Sequence, residues 1–118
     1  MRNPVVLIER DDNDIVTVTV NRPEVNNAYD RNVLGALAEG LANLALDTEL
    51  RALVLRGNGR HFQAGVDLKF QSELATMSAE ENEAVSQLLT ALMRDLNAFP
   101  APTIALVHGA CIGGGTGF

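Results

Sequence analysis

Two stretches concentrate the residues able to do chemistry. One runs Gly57-Asn58-Gly59-Arg60-His61-Phe62-Gln63-Ala64-Gly65-Val66-Asp67-Leu68, and the other runs His108-Gly109-Ala110-Cys111-Ile112-Gly113-Gly114-Gly115-Thr116-Gly117. Glycine removes the side chains that hold a ligand away from the backbone, and the N–H groups at a helix start have no partner inside the helix and lie at the positive end of its dipole. The second stretch closes the segment Pro102 to Phe118, which reads as a buried strand, a tight turn and such a helix start. Two loops of this kind, brought together, can aim two amides at one carbonyl oxygen, which is the design of an oxyanion hole. The first loop also reads as an ordinary strand-to-helix connection, and composition alone leaves both readings open.

Other chemistries fit less well. A dinucleotide fingerprint needs a third glycine or an alanine, but Gly57-x-Gly59 ends at Phe62 and Gly113-x-Gly115 ends at Phe118. Neither cluster continues into the Gly-Lys-Ser/Thr of a phosphate loop, and no G-x-S-x-G elbow is present. His61, Asp67, His108 and Cys111 are possible metal ligands without a familiar spacing, so no metal is expected. Asp67 is a candidate general base, but an aspartate after glycine more often braces its loop. His108 fits turn packing better than catalysis, and Cys111, with no identifiable base beside it, fits a small buried filler. Thr116 has two uses open to it, a substrate or its own helix.

The elements that must position these loops follow from periodicity. Val5 to Glu9, the polar Asp11-Asp12-Asn13-Asp14 and the alternating Ile15-Val16-Thr17-Val18-Thr19-Val20 make a hairpin with its three valines on one face. Pro23 ends it. Asp30 caps a helix whose stripe is Val33, Leu34, Leu37, Leu41 and Leu44. Ala52-Leu53-Val54-Leu55 reads as a strand buried on both faces. Ser78-Ala79-Glu80-Glu81 is a capping box opening a helix with apolar positions Val85, Leu88, Leu89, Leu92, Met93, Leu96 and Phe99, stopped by Pro100 and Pro102. Thr103 to Val107 is the fourth strand. This order, an α/β chain with two strand-to-helix junctions, brings both glycine loops to one end of a sheet, where ligands collect in such folds.

Composition bounds the rest. At 118 residues, 47% apolar and 20% charged, the chain has the size and make-up of one globular domain or part of one. Nine basic against fifteen acidic residues give a net charge of −6, which repels a phosphate backbone and argues against nucleic-acid binding. One cysteine excludes an internal disulfide and fits a reducing compartment such as the cytoplasm. Met1-Arg2-Asn3-Pro4 opens no signal core, and the longest apolar stretch, 101–112, is too short and interrupted to span a bilayer.

Four segments, in this order, resemble the enoyl-CoA hydratase/isomerase (crotonase) superfamily: Asn21-Arg22-Pro23-Glu24-Val25-Asn26-Asn27-Ala28, Gly57 to Phe62, Ala64 to Leu68, and Pro102 to Gly115. Members are more than twice as long, so the resemblance implies that residues 1–118 are the N-terminal half of a single crotonase-like domain, a spiral of ββα units. It implies an acyl-CoA thioester substrate that carries coenzyme A itself, with no separate cofactor, and a homo-oligomer, trimer or hexamer. The carbonyl would be held by the Val66 and Gly114 amides, with Val25, Asn26, Ala64, Asp67 and Leu68 contacting the CoA portion. One departure stands out. Hydratases of the family carry a glutamate just after the glycine triplet, where this chain has Gly117. Gly117 counts against a hydration using two carboxylates and leaves a one-acid double-bond isomerisation open. The resemblance implies isomerising or hydrating an enoyl-CoA through a thioester enolate as the activity, and a non-catalytic or truncated acyl-CoA-binding or oligomerising member is the alternative.

Overall fold

A computed structural model describes residues 4–118. The leading Met1 to Asn3, part of the segment read as lacking a signal core, lies outside the described residues.

The hairpin consists of β1 (Val6–Arg10) and β2 (Ile15–Val20), paired antiparallel with Val6 opposite Val20 and Arg10 opposite Val16. Asp11 closes the turn by accepting from the N–H groups of Asn13 and Ile15, and Asp14 takes the left-handed conformation (φ 62°) that aspartate tolerates. Helix α1 (Arg31–Ala45) begins where Asp30 accepts from the Val33 N–H at 3.0 Å. It crosses over to β3 (Ala52–Gly57), which pairs parallel with β2. Two helices follow, α2 (Leu68–Thr76) and α3 (Ala79–Asn97), before β4 (Thr103–Leu106) pairs parallel with β3. The sheet order is β1-β2-β3-β4, so the two parallel connections bring the C-terminal ends of β3 and β4 side by side.

One sheet face carries the core. Val16, Val18, Val20, Leu53 and Leu55 bury themselves against Val33, Leu34, Leu37 and Leu41 of α1 and Val85 and Leu92 of α3. Truncating one of these fully enclosed leucines to alanine removes contacts worth about 2–5 kcal/mol. The capping box of α3 forms as its spacing implies: Ser78 Oγ accepts from the Glu81 N–H at 3.1 Å. The Glu81 carboxylate meets the serine hydroxyl rather than the serine main-chain N–H.

Three expectations need correction. The strand Ala52 to Leu55 is not buried on both faces; Leu53 and Leu55 are enclosed while Ala52 and Val54 are half-buried, because helices cover only one side. The fourth strand, read as buried, is exposed along its whole length, with Ile104 at 49% and Leu106 at 52%. In register with Val54 and Arg56, these two side chains stand on the uncovered face. The helix start expected at the glycine triplet is a 3₁₀ turn, Gly113–Gly117. Helix α2 occupies a stretch to which the sequence pattern assigns no element. Only its Phe70 is buried, so no apolar stripe announces it.

An uncovered apolar stripe on an edge strand is a site for association. Sedimentation velocity is expected to show concentration-dependent self-association, reduced when Ile104→Lys and Leu106→Lys are combined.

Candidate functional site

The two glycine loops meet as extended segments paired through their main chains. Phe62 N–H donates to His108 O at 2.8 Å, Gln63 N–H to Ala110 O at 3.1 Å, and Ile112 N–H to Gln63 O at 3.1 Å. On the other side of the first loop lies the segment after the hairpin. Ala64 N–H donates to Asn26 O, Tyr29 N–H to Gly65 O, and Asp67 N–H to Tyr29 O. Three segments thus form a small stack at the C-terminal ends of β3 and β4, with bridges between Tyr29 and Val66 and between Gln63 and Cys111.

This pairing decides which amides are free. Tyr29 bonds the residues on either side of Val66, so the Val66 N–H points away from Tyr29. Among the described residues it donates to no protein acceptor, and neither does the Gly114 N–H. The two residues sit on neighbouring segments: a Cβ built on Gly65 would stand 3.6 Å from the Gly114 nitrogen. Val66 is half-buried and Gly114 exposed. Of the other residues implicated by sequence, Val25, Asn26 and Leu68 are exposed and Ala64 half-buried around the same stack.

Asp67 plays a different part. It is the N-cap of α2, accepting from the Phe70 N–H at 3.0 Å, and its other oxygen lies 3.2 Å from Arg22. Arg22 also donates to Ala28 O and stands 3.6 Å from Asp30, so one guanidinium ties the caps of α1 and α2 together. The Phe70 N–H above all, aided by Arg22 and opposed by partial burial, holds the Asp67 carboxyl below its ordinary range. A carboxylate so held is a poor proton acceptor and a good brace. The signal available in sequence was the cap pattern, Asp67 three residues before Phe70.

His108 packs as a turn residue, its Nε2 2.8 Å from Gly59 O. Thr116 donates to Gly113 O at 2.9 Å and so turns to its own backbone. Cys111 is half-buried, not the fully buried filler expected.

Tyr29 is the residue sequence reasoning missed. Its ring is 7% exposed, packs edge-on to Phe118 with centroids 5.8 Å apart, and its phenol is pushed up by burial. A Cβ on Gly114 would fall 2.2 Å from the Tyr29 hydroxyl. The absence of a side chain at Gly114 is therefore demanded by a packed tyrosine.

Two predictions follow from these contacts. Asp67→Ala is expected to lower stability at neutral pH by about 1 kcal/mol through loss of the cap, measured by urea denaturation, with Asp67→Asn costing less. Because the folded pKa is depressed, the stability Asp67 contributes is complete above its unfolded value of about 3.9 and is lost as pH falls through the lower folded value. The difference between the parent and Asp67→Ala is therefore expected to narrow below about pH 4. Gly114→Ala is expected to lower the melting temperature, and pairing it with Tyr29→Phe to recover part of the loss, since the colliding atom is the hydroxyl.

Comparison with known proteins places this architecture. Residues 10–118 match the family model for enoyl-CoA hydratase/isomerase. The human enoyl-CoA hydratase domain-containing protein 2, mitochondrial, is 41% identical over 105 residues, 88% of this chain and 35% of that protein. Mouse Delta(3,5)-Delta(2,4)-dienoyl-CoA isomerase, mitochondrial, is 34% identical over 109 residues, 86% of this chain and 33% of its own. Among solved structures, an enoyl-CoA hydratase from Mycobacterium smegmatis has a TM-score of 0.85 at 40% identity, covering 92% of this chain and 42% of that one. A Legionella pneumophila structure carrying the crotonase name has a TM-score of 0.89 at 38% identity, covering 95% and 43%. The chain thus spans less than half the length of the relatives it matches. Its sheet, crossover helices and paired glycine loops are those of the crotonase fold, and the chain belongs to the enoyl-CoA hydratase/isomerase family.

Proposed function

We propose that this chain forms the thioester-binding part of an acyl-CoA enzyme that isomerises or hydrates an enoyl-CoA. The observation that carries the reading is the pair of N–H groups, Val66 and Gly114, on adjacent segments and without protein acceptors among the described residues. Proton transfer at an enoyl thioester passes through an enolate with its charge on the carbonyl oxygen. Fixed amides stabilise that charge without reorganising, and one such donor is worth about 3 kcal/mol.

The rim residues divide the remaining work. Val25 and Leu68, both exposed, offer apolar contact to the pantetheine arm, and Asn26 and Ala64 present the main chain beside it. Asp67 acts from behind, by fixing the start of α2 with Val66 one residue before it. Gly117 supplies no carboxylate where the family's hydratases have one, which favours a one-acid double-bond shift over a hydration using two carboxylates. The same glycine supports a second reading, an acyl-CoA binder without turnover.

Calorimetry is expected to show binding of crotonyl-CoA and none of NAD or ATP; nucleotide binding without a thioester preference overturns the assignment. Turnover separates the enzyme from the binder. In an active protein, Gly114→Pro deletes one donor and is expected to cut turnover at least about a hundredfold, with circular dichroism confirming the fold. Normal turnover in the folded proline variant removes Gly114 from the site.

A further inference from the structure

Two histidines fasten the loops that carry Val66 and Gly114, and they do so reciprocally. His61, on the first loop, accepts the Ala110 N–H of the second at its Nδ1, 2.8 Å away. His108, on the second, places its Nε2 2.8 Å from Gly59 O of the first. A carbonyl only accepts, so the His108 bond requires hydrogen on Nε2; the Ala110 N–H only donates, so the His61 bond requires a bare Nδ1. The His61 ring is also wedged beneath the turn. Gly109 there has φ 60°, and a Cβ on it would fall 2.6 Å from His61 Nδ1 and 2.2 Å from Arg60 O.

We propose that His61 is a positioning residue for this site: through Nδ1 it holds Ala110, and with it the turn into Gly113–Gly117, in the register that sets the Gly114 amide beside Val66. The inference rests on the thioester-binding reading and deepens it. Ala110 lies four residues before Gly114, and the main-chain bonds on either side of it, Phe62 to His108 and Ile112 to Gln63, are neutral amide bonds that any slip of the loop breaks together. The Ala110 N–H has no other acceptor among the described residues. Misplacing a reacting group by about 1 Å costs about a hundredfold in rate, so a loosened register is read in kcat and only weakly in KM.

The test exploits the shape of the ring. Asparagine places its Oδ1 near the Nδ1 position, glutamine places its amide near Nε2, and leucine supplies no acceptor. With the purified protein and crotonyl-CoA, His61→Asn is expected to keep kcat within about threefold of the parent. His61→Leu and His61→Gln are expected to lose about tenfold or more with little change in KM. Amide hydrogen exchange at Ala110 is expected to quicken in the leucine and glutamine variants and not in the asparagine variant. Nitrogen NMR of the imidazole is expected to show His61 with hydrogen on Nε2 and a bare Nδ1. Should the leucine variant fail to fold, asparagine against glutamine makes the same comparison. Equal kcat in all variants, failure of asparagine to rescue, or unchanged Ala110 exchange overturns the proposal. Absence of thioester binding in the parent instead overturns the functional reading, and the exchange and tautomer results still decide whether His61 sets the register.

Discussion

The site depends on one buried side chain, Asn27. It is fully enclosed, with its backbone in the left-handed region at φ 62°, and every polar atom of its amide is used. Nδ2 donates to Asn58 O and to His61 O, each at 2.7 Å, while Oδ1 accepts the Arg22 N–H at 2.9 Å. One amide therefore joins the chain leaving the hairpin to both shoulders of the first glycine loop. Burying such a group unpaired costs about 1–3 kcal/mol, and here both N–H donors and the oxygen have partners. Because Asn27 sits two residues before Tyr29, the same anchor fixes the segment against which Val66 is aligned.

From that anchor, charge and packing extend outward in opposite senses. Arg22, whose main chain Asn27 holds, sends its guanidinium to the caps of two helices. Tyr29 sends its ring inward, against Gly114 and Phe118. The polar half orients α1 and α2 relative to the sheet; the apolar half sets how close the second loop approaches.

Much of this was legible in the sequence, and the gaps have physical causes. Val16, Val18 and Val20 alternate, and the α1 stripe repeats at helical spacing, so burial of one face was readable from period alone. The ordered glycine motifs identified the family. By contrast α2 has one buried residue, and a helix held by its cap and by Arg22 leaves little hydrophobic pattern to read. The exposure of β4 was hidden for another reason: Ile104 and Leu106 state a preference for burial, while coverage depends on what packs against them. Tyr29 escaped notice because a single aromatic after a polar run looks like core, and its contact with Gly114 joins residues far apart in the chain.

The parallel strand order has a kinetic consequence. Only β1 and β2 are neighbours in sequence, joined by a tight turn; β2 reaches β3 and β3 reaches β4 only after whole helices have been traversed. Chain closure over such spans costs entropy before any contact repays it. The hairpin closes over the shortest span of the sheet and carries the smallest such cost. The three-segment stack at the far end of the sheet joins residues as far apart as Gln63 and Ala110, so its closure is among the costlier ones in the molecule.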